Sequence, residues 1–349
     1  LISQNAYVYV LATGMLLCIL TGGNIDLSVG SVVCFVGAVG GVFMEKMGMP
    51  MPIAVILMLL LGAVIGAWQA VWIAYVHVPP FITTLSGMFV FRGLSNVVLG
   101  GQTLPIKNQA FVVLFGGGAN CYVPDILGGG EGLNRLALVV GIVACAIFVV
   151  VTMKGYLNRK KKGYETGNVV AMYVKMILIC AVIMFITVKL AQYKGIPTSL
   201  VWVLIVVLIY GYITSKTTIG RYFYAVGGNE KATKLSGINT ERVYFLAYTN
   251  MGLLSALAGM LTIARLTSAQ PTYGQNYEMD AIGSCFIGGA SAYGGTGTVP
   301  GVIVGATLMG IINQGMSIMG TDQNMQKVVK GLVLLAAVIF DVVSKKRSE

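Results

Sequence analysis

The chain has 349 residues, of which 56% are hydrophobic and only 10% are charged, and its mean hydropathy is +0.83. This composition is typical of a polytopic membrane protein and leaves no stretch for a soluble domain of useful size. The net charge of +11 does not indicate nucleic-acid binding, because the basic residues cluster in short segments between apolar runs, as the positive-inside bias predicts.

Apolar segments recur along the whole chain, and a membrane-spanning helix needs about 20 such residues. We predict an all-α membrane fold in one domain, 1–349, with about ten transmembrane or re-entrant helices, some of them discontinuous and rich in glycine. The predicted segments are 6–20, 27–44, 51–76, 81–100, 136–153, 169–190, 199–214, 244–264, 281–292, 299–319 and 327–343.

The basic segments orient these helices. The loops 154–168 and 215–243 and the C-terminal residues 344–349 carry most of the lysines and arginines and are predicted to be cytoplasmic. Residue 1 is not Met and an apolar run follows almost at once, so we expect that an upstream N-terminal segment is missing. The loops predicted to lie outside are 101–135, 191–198 and 265–280.

The stretch TGGNIDLSVGS, 21–31, places small and polar residues between two apolar runs. It is predicted to break a helix at membrane depth, where freed backbone groups are tolerated only beside protein or a water-filled cavity. Asp26 suits a helix cap and should face the bundle interior. The residues leave open whether Asp26 only caps a helix or takes part in a translocation path. The predicted site residues here are Gly22, Gly23, Asn24, Asp26 and Ser28.

A second glycine-rich stretch, GGASAYGGTGTVPG at 288–301, lies in the other half of the chain. The orientation of the flanking segments requires residues 281–319 to enter the membrane and return, and this stretch is too rich in glycine for an ordinary helix interior. Paired interruptions point to a transport pathway, and close helix packing is the alternative. The predicted site residues here are Gly288, Gly289, Gly294 and Gly295.

The loop sequence GRYFYAVGGNEKATKLSGINTERV, 220–243, predicts a short cytoplasmic helix over 230–236. Asn229 suits the N-cap, Glu230 complements the helix dipole, and Gly237 suits the C-terminal turn. A helix of about two turns is marginal alone in water, so either its own loop or a docked partner must hold it. Leu235 is the best apolar anchor for such a partner.

These motifs carry a family resemblance. GGNIDLSVGS resembles the GG-IDLSVG signature of the branched-chain amino acid and ribose type of ABC importer permease, with Asn24 where Gly is common. GGNEKATKLSGIN resembles that family's coupling-helix motif, with Thr233 where Ala is frequent, and GGASAYGGTGTVPG resembles its late glycine-rich motif. The loop 101–135 and the insertion RKKKGYETGN are similar to the multiple-monosaccharide branch. The family usually has a further helix upstream of the point where this sequence starts.

The resemblance implies a permease subunit in the bacterial inner membrane that forms the pathway for a monosaccharide, in contact with membrane lipid. Its implied partners are a cytoplasmic ABC ATPase, an extracytoplasmic sugar-binding protein and a second permease copy in a homodimeric or pseudo-dimeric pore. The chain contains no GxxxxGK[ST] loop, so we expect no enzyme activity, cofactor or metal here and ATP use by the partner. The implied coupling residues are Gly228, Asn229, Glu230, Ala232, Leu235, Ser236 and Gly237.

An ion-coupled secondary transporter of a small polar solute is the leading alternative, and it requires ionisable residues inside the membrane. Asp26 is the firm candidate, because Asp280 is predicted near the outside and Asp341 near the cytoplasmic helix end. His77 is the only histidine, which disfavours an intramembrane enzyme with a histidine metal cluster or catalytic triad. A channel is disfavoured because no filter motif such as TVGYG occurs.

Sugar recognition should also leave polar and aromatic side chains within or beside the apolar helices. Trp also fits the membrane interface, and Asn or Gln also fits a bridge between helices. The candidates are Trp68, Trp72, Asn96, Gln102, Asn250, Asn313 and Gln314.

Overall fold

The computed structural model describes residues 2–125, 128, 133–163 and 169–346. Nine of the described helices are long and apolar enough to cross a membrane, which confirms the predicted all-α membrane fold. In chain order the elements are α1 (Ile2–Leu20), α2 (Val29–Gly41, continued by a π-helical turn at Val42–Lys46), α3 (Met51–Ala74), α4 (Pro80–Leu99), β1 (Leu104–Pro105), α5 (Gln109–Leu114), α6 (Arg135–Lys161), α7 (Val169–Gln192), α8 (Thr198–Lys216), α9 (Thr218–Gly228), α10 (Glu230–Leu235), α11 (Thr240–Leu266), β2 (Ser268–Ala269), α12 (Tyr277–Ile287), α13 (Val299–Ile318) and α14 (Gln323–Lys346).

Parts of the predicted loops lie outside the described residues. They are 126–127 and 129–132 of the loop 101–135, 164–168 of the loop 154–168 with its basic insertion, and 347–349 of the C-terminal segment.

The chain separates into two compact units, of which the smaller is Tyr122–Thr198. It is a hairpin of α6 and α7. Asn134 caps α6 by accepting a hydrogen bond from the N–H of Ala137 at 2.9 Å, and its own N–H donates to the carbonyl of Ala191 at 2.9 Å. Both helices are apolar on nearly all sides and expose most of their surface, as expected for helices that face lipid.

The larger unit comprises Leu1–Cys121 and Ser199–Glu349, and α1 is its central helix. Almost all of α1 is buried, between α11, α12 and α13. The Cys285 thiol of α12 donates to the carbonyl of Ala12 at 3.2 Å, and the hydroxyls of Tyr9 and Thr307, on α13, lie 3.1 Å apart. A helix that is apolar on every face is therefore covered by protein on every face.

The helices α3 and α11 pack through glycines. A Cβ at Gly62 would lie 2.5 Å from the Cβ of Ala256, and a Cβ at Gly66 would lie 2.5 Å from the carbonyl oxygen of Tyr248. The two helices therefore run antiparallel at a separation that only glycine permits. Small residues four apart allow this approach in a membrane, where there is no hydrophobic driving force between helices.

The larger unit has two distinct ends. We call the end at which α11 begins, next to the basic segment 216–242, the basic end, and the end at which α11 finishes the far end. At the far end β1 pairs antiparallel with β2, with Leu104 opposite Ala269. The carboxylate of Glu45 accepts the backbone N–H of Lys107 at 2.7 Å, so the loop after β1 is tied to the end of the π-helical turn.

Three predicted boundaries are wrong. The predicted segment 136–153 continues as α6 to Lys161, so the basic residues from Lys154 to Lys161 lie on a helix and not in the predicted loop 154–168. The predicted segment 281–292 is the shorter and earlier helix α12, because the N–H groups of Gly289 and Ala290 turn back to the carbonyls of Phe286 and Cys285 and end it. The predicted loop 265–280 therefore includes the first turn of α12. The first break covers 21–28 and not 21–31, because α2 begins at Val29.

Candidate functional site

The two predicted breaks lie directly against each other in the larger unit. A Cβ at Gly294 would lie 2.5 Å from the Cα of Gly22, and a Cβ at Gly23 would overlap the carbonyl oxygen of Ala292. The contact is therefore made by backbone against backbone, with no side chain between. Together the segments 21–28 and 288–298 are called the glycine junction.

The junction needs glycine for its backbone conformation as well as for space. Gly22, Gly23 and Gly294 have φ angles of +119°, +75° and +84°, a region that residues with a Cβ rarely adopt. Gly289 has φ of +83° and faces open space, so it serves only the turn that ends α12. The predicted glycines thus have two different structural roles.

The freed backbone groups of the junction find partners inside the protein. The N–H of Gly295 in the second break donates to the carbonyl of Leu20, at the start of the first, at 3.1 Å. The N–H of Ala292 donates to Oδ2 of Asp341 in α14 at 3.0 Å. Satisfied backbone groups are the condition for a helix to be interrupted at membrane depth. Asp341 therefore supports the second break.

Asp26 is 3% exposed and holds the end of the first break. Its Oδ1 accepts hydrogen bonds from the N–H of Ser28 at 2.8 Å and from the Ser28 hydroxyl at 2.7 Å. The amide of Gln69 in α3 donates to the same hydroxyl at 2.9 Å. Ser28 occupies the N-cap position without a side-chain capping bond. The Asp26 carboxylate therefore bonds to the N–H and hydroxyl of the residue immediately before α2 and to no N–H within the helix.

The C-terminal end of α9 touches both halves of the junction. A Cβ at Gly227 would overlap the carbonyl oxygen of Leu20 and would lie 2.5 Å from the backbone nitrogen of Gly295. The Tyr224 hydroxyl donates to the carbonyl of Gly297 at 2.8 Å. The C-terminal end of α9 is therefore packed directly against the backbone at both breaks.

The predicted short helix follows at once as α10. Asn229 is its N-cap, and its side chain accepts the N–H of Ala232 at 2.9 Å. Gly237 turns the chain away with φ of +82°. The helix ends at Leu235 and Ser236 is its C-cap, one residue before the predicted end, because the N–H of Ser236 closes the last turn onto Ala232.

One face of α10 is held by the chain and the other is open. The hydroxyl of the buried Thr233 donates to the carbonyl of Ala225 in α9 at 2.8 Å, and the Tyr244 hydroxyl of α11 donates to the Glu230 carboxylate at 3.1 Å. Leu235 points away and is 90% exposed. Contacts of the chain itself thus stabilise the helix, and they leave an apolar side chain free. The other predicted coupling residues, Gly228, Ala232, Ser236 and Gly237, are also exposed.

Asn24 places the first break next to α10. Its side chain donates to the carbonyl of Thr21 at 3.2 Å, and it lines a cleft of about 180 Å³ with Glu230, Tyr244 and His77. The N-terminal end of α10 and the first break therefore share one surface at the basic end.

A buried ion pair is the feature that sequence reasoning missed. Asp280 is fully buried, and its carboxylate lies 2.8 Å from Nζ of Lys330 in α14 and accepts a hydrogen bond from Tyr7 at 2.8 Å. Asp280 lies at the far end but in α12, which begins three residues before it, and not in the predicted loop 265–280. A lysine inside the apolar segment 327–343 was the available signal, since such a charge needs a partner in the membrane.

The polar and aromatic candidates for sugar contact occupy different places. Asn313 and Gln314 line a cavity at the far end. Asn250 accepts a hydrogen bond from Tyr210 and so bridges α8 and α11. The remaining four candidates, Trp68, Trp72, Asn96 and Gln102, are exposed.

Comparison with known proteins gives matches along nearly the whole chain. A family model described as branched-chain amino acid transport system, permease component, matches residues 1–124 and 130–338. The chain is 34% identical over 348 residues to the xylose transport system permease protein XylH of Escherichia coli (strain K12), covering 100% of this chain and 85% of that protein. It is 33% identical over 344 residues to the ribose import permease protein RbsC of the same organism, covering 98% and 84%. No solved structure matches the chain. All three predicted motifs fall within the residues that the family model matches.

Substitution of Gly23 by Ala should disrupt the junction. The left-handed backbone costs a residue with a Cβ about 1–2 kcal/mol, and the overlap with Ala292 adds about 1–3 kcal/mol of overpacking. Gly289→Ala is the matched control, because it meets the same backbone cost in open space. Thermal unfolding of the purified protein in detergent should show a larger loss for Gly23→Ala, and equal losses would contradict the role of the contact.

The buried ion pair should behave as a unit in stability measurements. Lys330→Met or Asp280→Asn alone leaves a buried charge without its partner and should lower the free energy of unfolding by about 3–5 kcal/mol. The double variant should recover most of that loss. The more exposed pair of Lys234 and Glu241, at 3.8 Å, is the control, and its removal should change stability by at most about 1 kcal/mol. Additive losses at 280 and 330 would show that the two groups are independent.

Proposed function

Because the chain belongs to the family of branched-chain amino acid transport system permease components, we propose that it is the membrane-spanning subunit of an ATP-binding-cassette importer for monosaccharides. The similarity to xylose and ribose permeases over nearly the full chain supports this class of substrate. The observation that carries the proposal is the backbone contact of α9 with both breaks, because it links the exposed helix α10 directly to the interrupted helices. The nine apolar spans make it a multi-pass protein, and we assign it to the bacterial inner membrane.

The basic end of the larger unit faces the cytoplasm in this proposal. The segment 216–242 carries lysines and arginines and includes α10, and positive charge is retained on the cytoplasmic side of membrane proteins. The far end then faces the binding protein that delivers the sugar. This orientation puts the glycine junction and α10 on the side where an ATPase is available.

The helix α10 is proposed to dock into a groove of the partner ATPase. Leu235 is exposed on a helix that its own chain already holds through Thr233 and Glu230. A preformed helix loses little conformational freedom on binding, and an exposed leucine gains free energy when a partner covers it. The ATPase must supply nucleotide hydrolysis, because the sequence has no phosphate-binding GxxxxGK[ST] loop.

The glycine junction is proposed to border the translocation pathway, with two permease copies completing the pore as a homodimer. Within the junction Asp26 is a positioning residue. It is almost fully buried and is hydrogen-bonded to Ser28, so its carboxylate orients the start of α2 and does not contact the sugar.

Ion-coupled transport is the second candidate function, and the pair of Asp280 and Lys330 is the observation that favours it. Coupling requires a group that gains and loses its ion during each cycle. The Asp280 carboxylate is instead occupied by the Lys330 ammonium and the Tyr7 hydroxyl in one arrangement. Together with family membership, this occupancy favours the ATP-driven importer.

Reconstitution separates the two functions. The chain, its ATPase and its binding protein in proteoliposomes should take up D-xylose or D-ribose only when ATP is supplied on the ATPase side. A protonophore should leave that uptake unchanged. Uptake that needs no ATP and stops with the protonophore would establish the ion-coupled transporter instead.

Leu235→Asp tests the coupling surface. Burial of a charge in an apolar groove should weaken ATPase binding by at least about 30-fold, the effect of losing a central interface anchor, and should abolish uptake. The bundle should remain folded, because Leu235 is 90% exposed. Met319→Asp, which is 76% exposed at the far end, is the control and should bind the ATPase as the wild type does. Normal ATPase binding by Leu235→Asp would remove α10 from the interface.

A further inference from the structure

The helix α9 begins where a membrane span ends. The span is α8, whose 19 residues cover about 28 Å at 1.5 Å per residue, close to the hydrocarbon thickness of about 30 Å. It ends at the exposed Lys216, and a lysine at the end of a span places its ammonium at the level of the lipid headgroups. The first turn of α9, which starts at Thr218, therefore lies at that level as well.

The chain bends sharply between the two helices. Thr217 caps α9, because its hydroxyl accepts the N–H of Gly220 at 3.1 Å. A Cβ at Gly220 would lie 2.1 Å from the carbonyl oxygen of Ile213 in α8, although the seven residues between them would span about 10 Å in a continuous helix. The helix α9 therefore runs across the end of α8 and does not continue its axis out of the membrane.

The two halves of α9 have different surroundings. The second half packs on the glycine junction through Tyr224 and Gly227. In the first half Ile219 is 47% and Tyr222 38% exposed, and Arg221 is exposed as well. At 3.6 residues per turn, Tyr222 lies about 60° from Ile219 around the helix and about 100° from Arg221, in the opposite direction. The exposed half of α9 thus has an apolar edge and a basic edge.

The apolar edge continues a surface that faces lipid. The span α8 exposes large apolar side chains along its length, namely Leu204, Ile205, Leu208, Ile209 and Tyr212. No acidic residue occurs between these and Tyr222. A helix that lies in the membrane interface buries its apolar side about 5–10 Å deep, at the boundary of headgroups and acyl chains, and carries Lys and Arg on its polar side. The first half of α9 fits this description.

The basic edge has no acidic partner in the part of the chain that the structure describes. Neither Lys216 nor Arg221 belongs to an ion pair there. Both side chains are exposed at the level of the headgroups, where basic groups attract anionic lipids. Charge complementarity therefore favours an anionic membrane surface as the partner of this edge.

From these observations we infer that the first half of α9 is a membrane anchor in which Ile219 and Tyr222 enter the acyl boundary while Lys216 and Arg221 bind the phosphate of an anionic phospholipid. This inference goes beyond the proposed function and does not depend on it. Because the other end of α9 touches both breaks, the anchor sets the position of α9 against the glycine junction.

A tryptophan at position 222 reports what covers this surface. Tyr222→Trp keeps an aromatic side chain that suits the interface, and its fluorescence is obtained by subtracting that of the wild-type chain, which has three tryptophans. In phosphatidylcholine bilayers that contain the purified full chain, brominated phosphatidylcholine should quench this fluorescence. Brominated phosphatidylglycerol should quench it at an about 30-fold lower membrane fraction, the preference expected for two basic contacts.

Leu235→Trp is the control reporter, because Leu235 is 90% exposed on the neighbouring helix α10. Acrylamide in the water should quench it, and brominated lipid should not. The reverse pattern at position 222 is the expected result. Quenching of position 222 by acrylamide alone would overturn the anchor.

Lys216→Gln combined with Arg221→Gln tests the headgroup contact. Both side chains are exposed, so the bundle should stay folded. With the reporter at position 222, the preference for phosphatidylglycerol should fall about 30-fold, to none. Lys231→Gln combined with Lys234→Gln removes the same charge from α10 and should keep the preference. A preference that persists without Lys216 and Arg221 would show that they do not bind the lipid.

Two further outcomes identify a different occupant and overturn the anchor. If glycerol 1-phosphate in the water abolishes the preference of the wild-type edge for phosphatidylglycerol, the edge binds free anions and not the membrane. If lipid quenching at position 222 disappears when the ATPase binds, the ATPase covers α9. The measurement uses neither sugar nor ATP, so its failure leaves the proposed importer standing, and a failure of ATP-dependent uptake leaves the anchor standing.

Discussion

A backbone that leaves a helix inside a membrane must find its hydrogen-bond partners within the protein, and the larger unit is organised around that requirement. Its two interrupted segments provide hydrogen-bond partners for each other, since the N–H of Gly295 in the second break donates to the carbonyl of Leu20, just before the first. Asp341 accepts the N–H of Ala292, and Asp26 accepts that of Ser28. The two segments can approach this closely only because glycine has no side chain, so that one backbone packs directly on the other.

The short helix α12 runs from the far end of the larger unit to the glycine junction. It begins at the far end, where Asp280 pairs with Lys330, and it ends at Ile287, with its C-cap Gly288 in the glycine junction. Its eleven residues span about 16 Å at 1.5 Å per residue. The junction in turn touches α9, which leads into α10. Backbone contacts thus link the end of α9, which leads into α10, to both breaks, the second of which follows α12 directly.

The sequence alone was enough to predict a feature that depends only on residues next to one another in the chain. The glycines at 22–23 and 294–295 interrupt apolar runs and so marked both breaks. Asn229 and Gly237 marked the two ends of α10. Local signals were not enough where the partner lies far along the chain, as for Asp280, whose carboxylate pairs with Lys330.

The sequence by itself determined the all-α membrane fold, the apolar spans, both breaks and the short helix, because composition, periodicity and glycine content act within one segment. Only the tertiary structure decided that the breaks meet and that Asp280 is buried with Lys330. The ion pair joins residues 50 positions apart and its Tyr7 bond joins residues 273 positions apart. Such contacts depend on which helices become neighbours, and in a membrane that choice is made by close packing, which leaves no periodic pattern in the sequence.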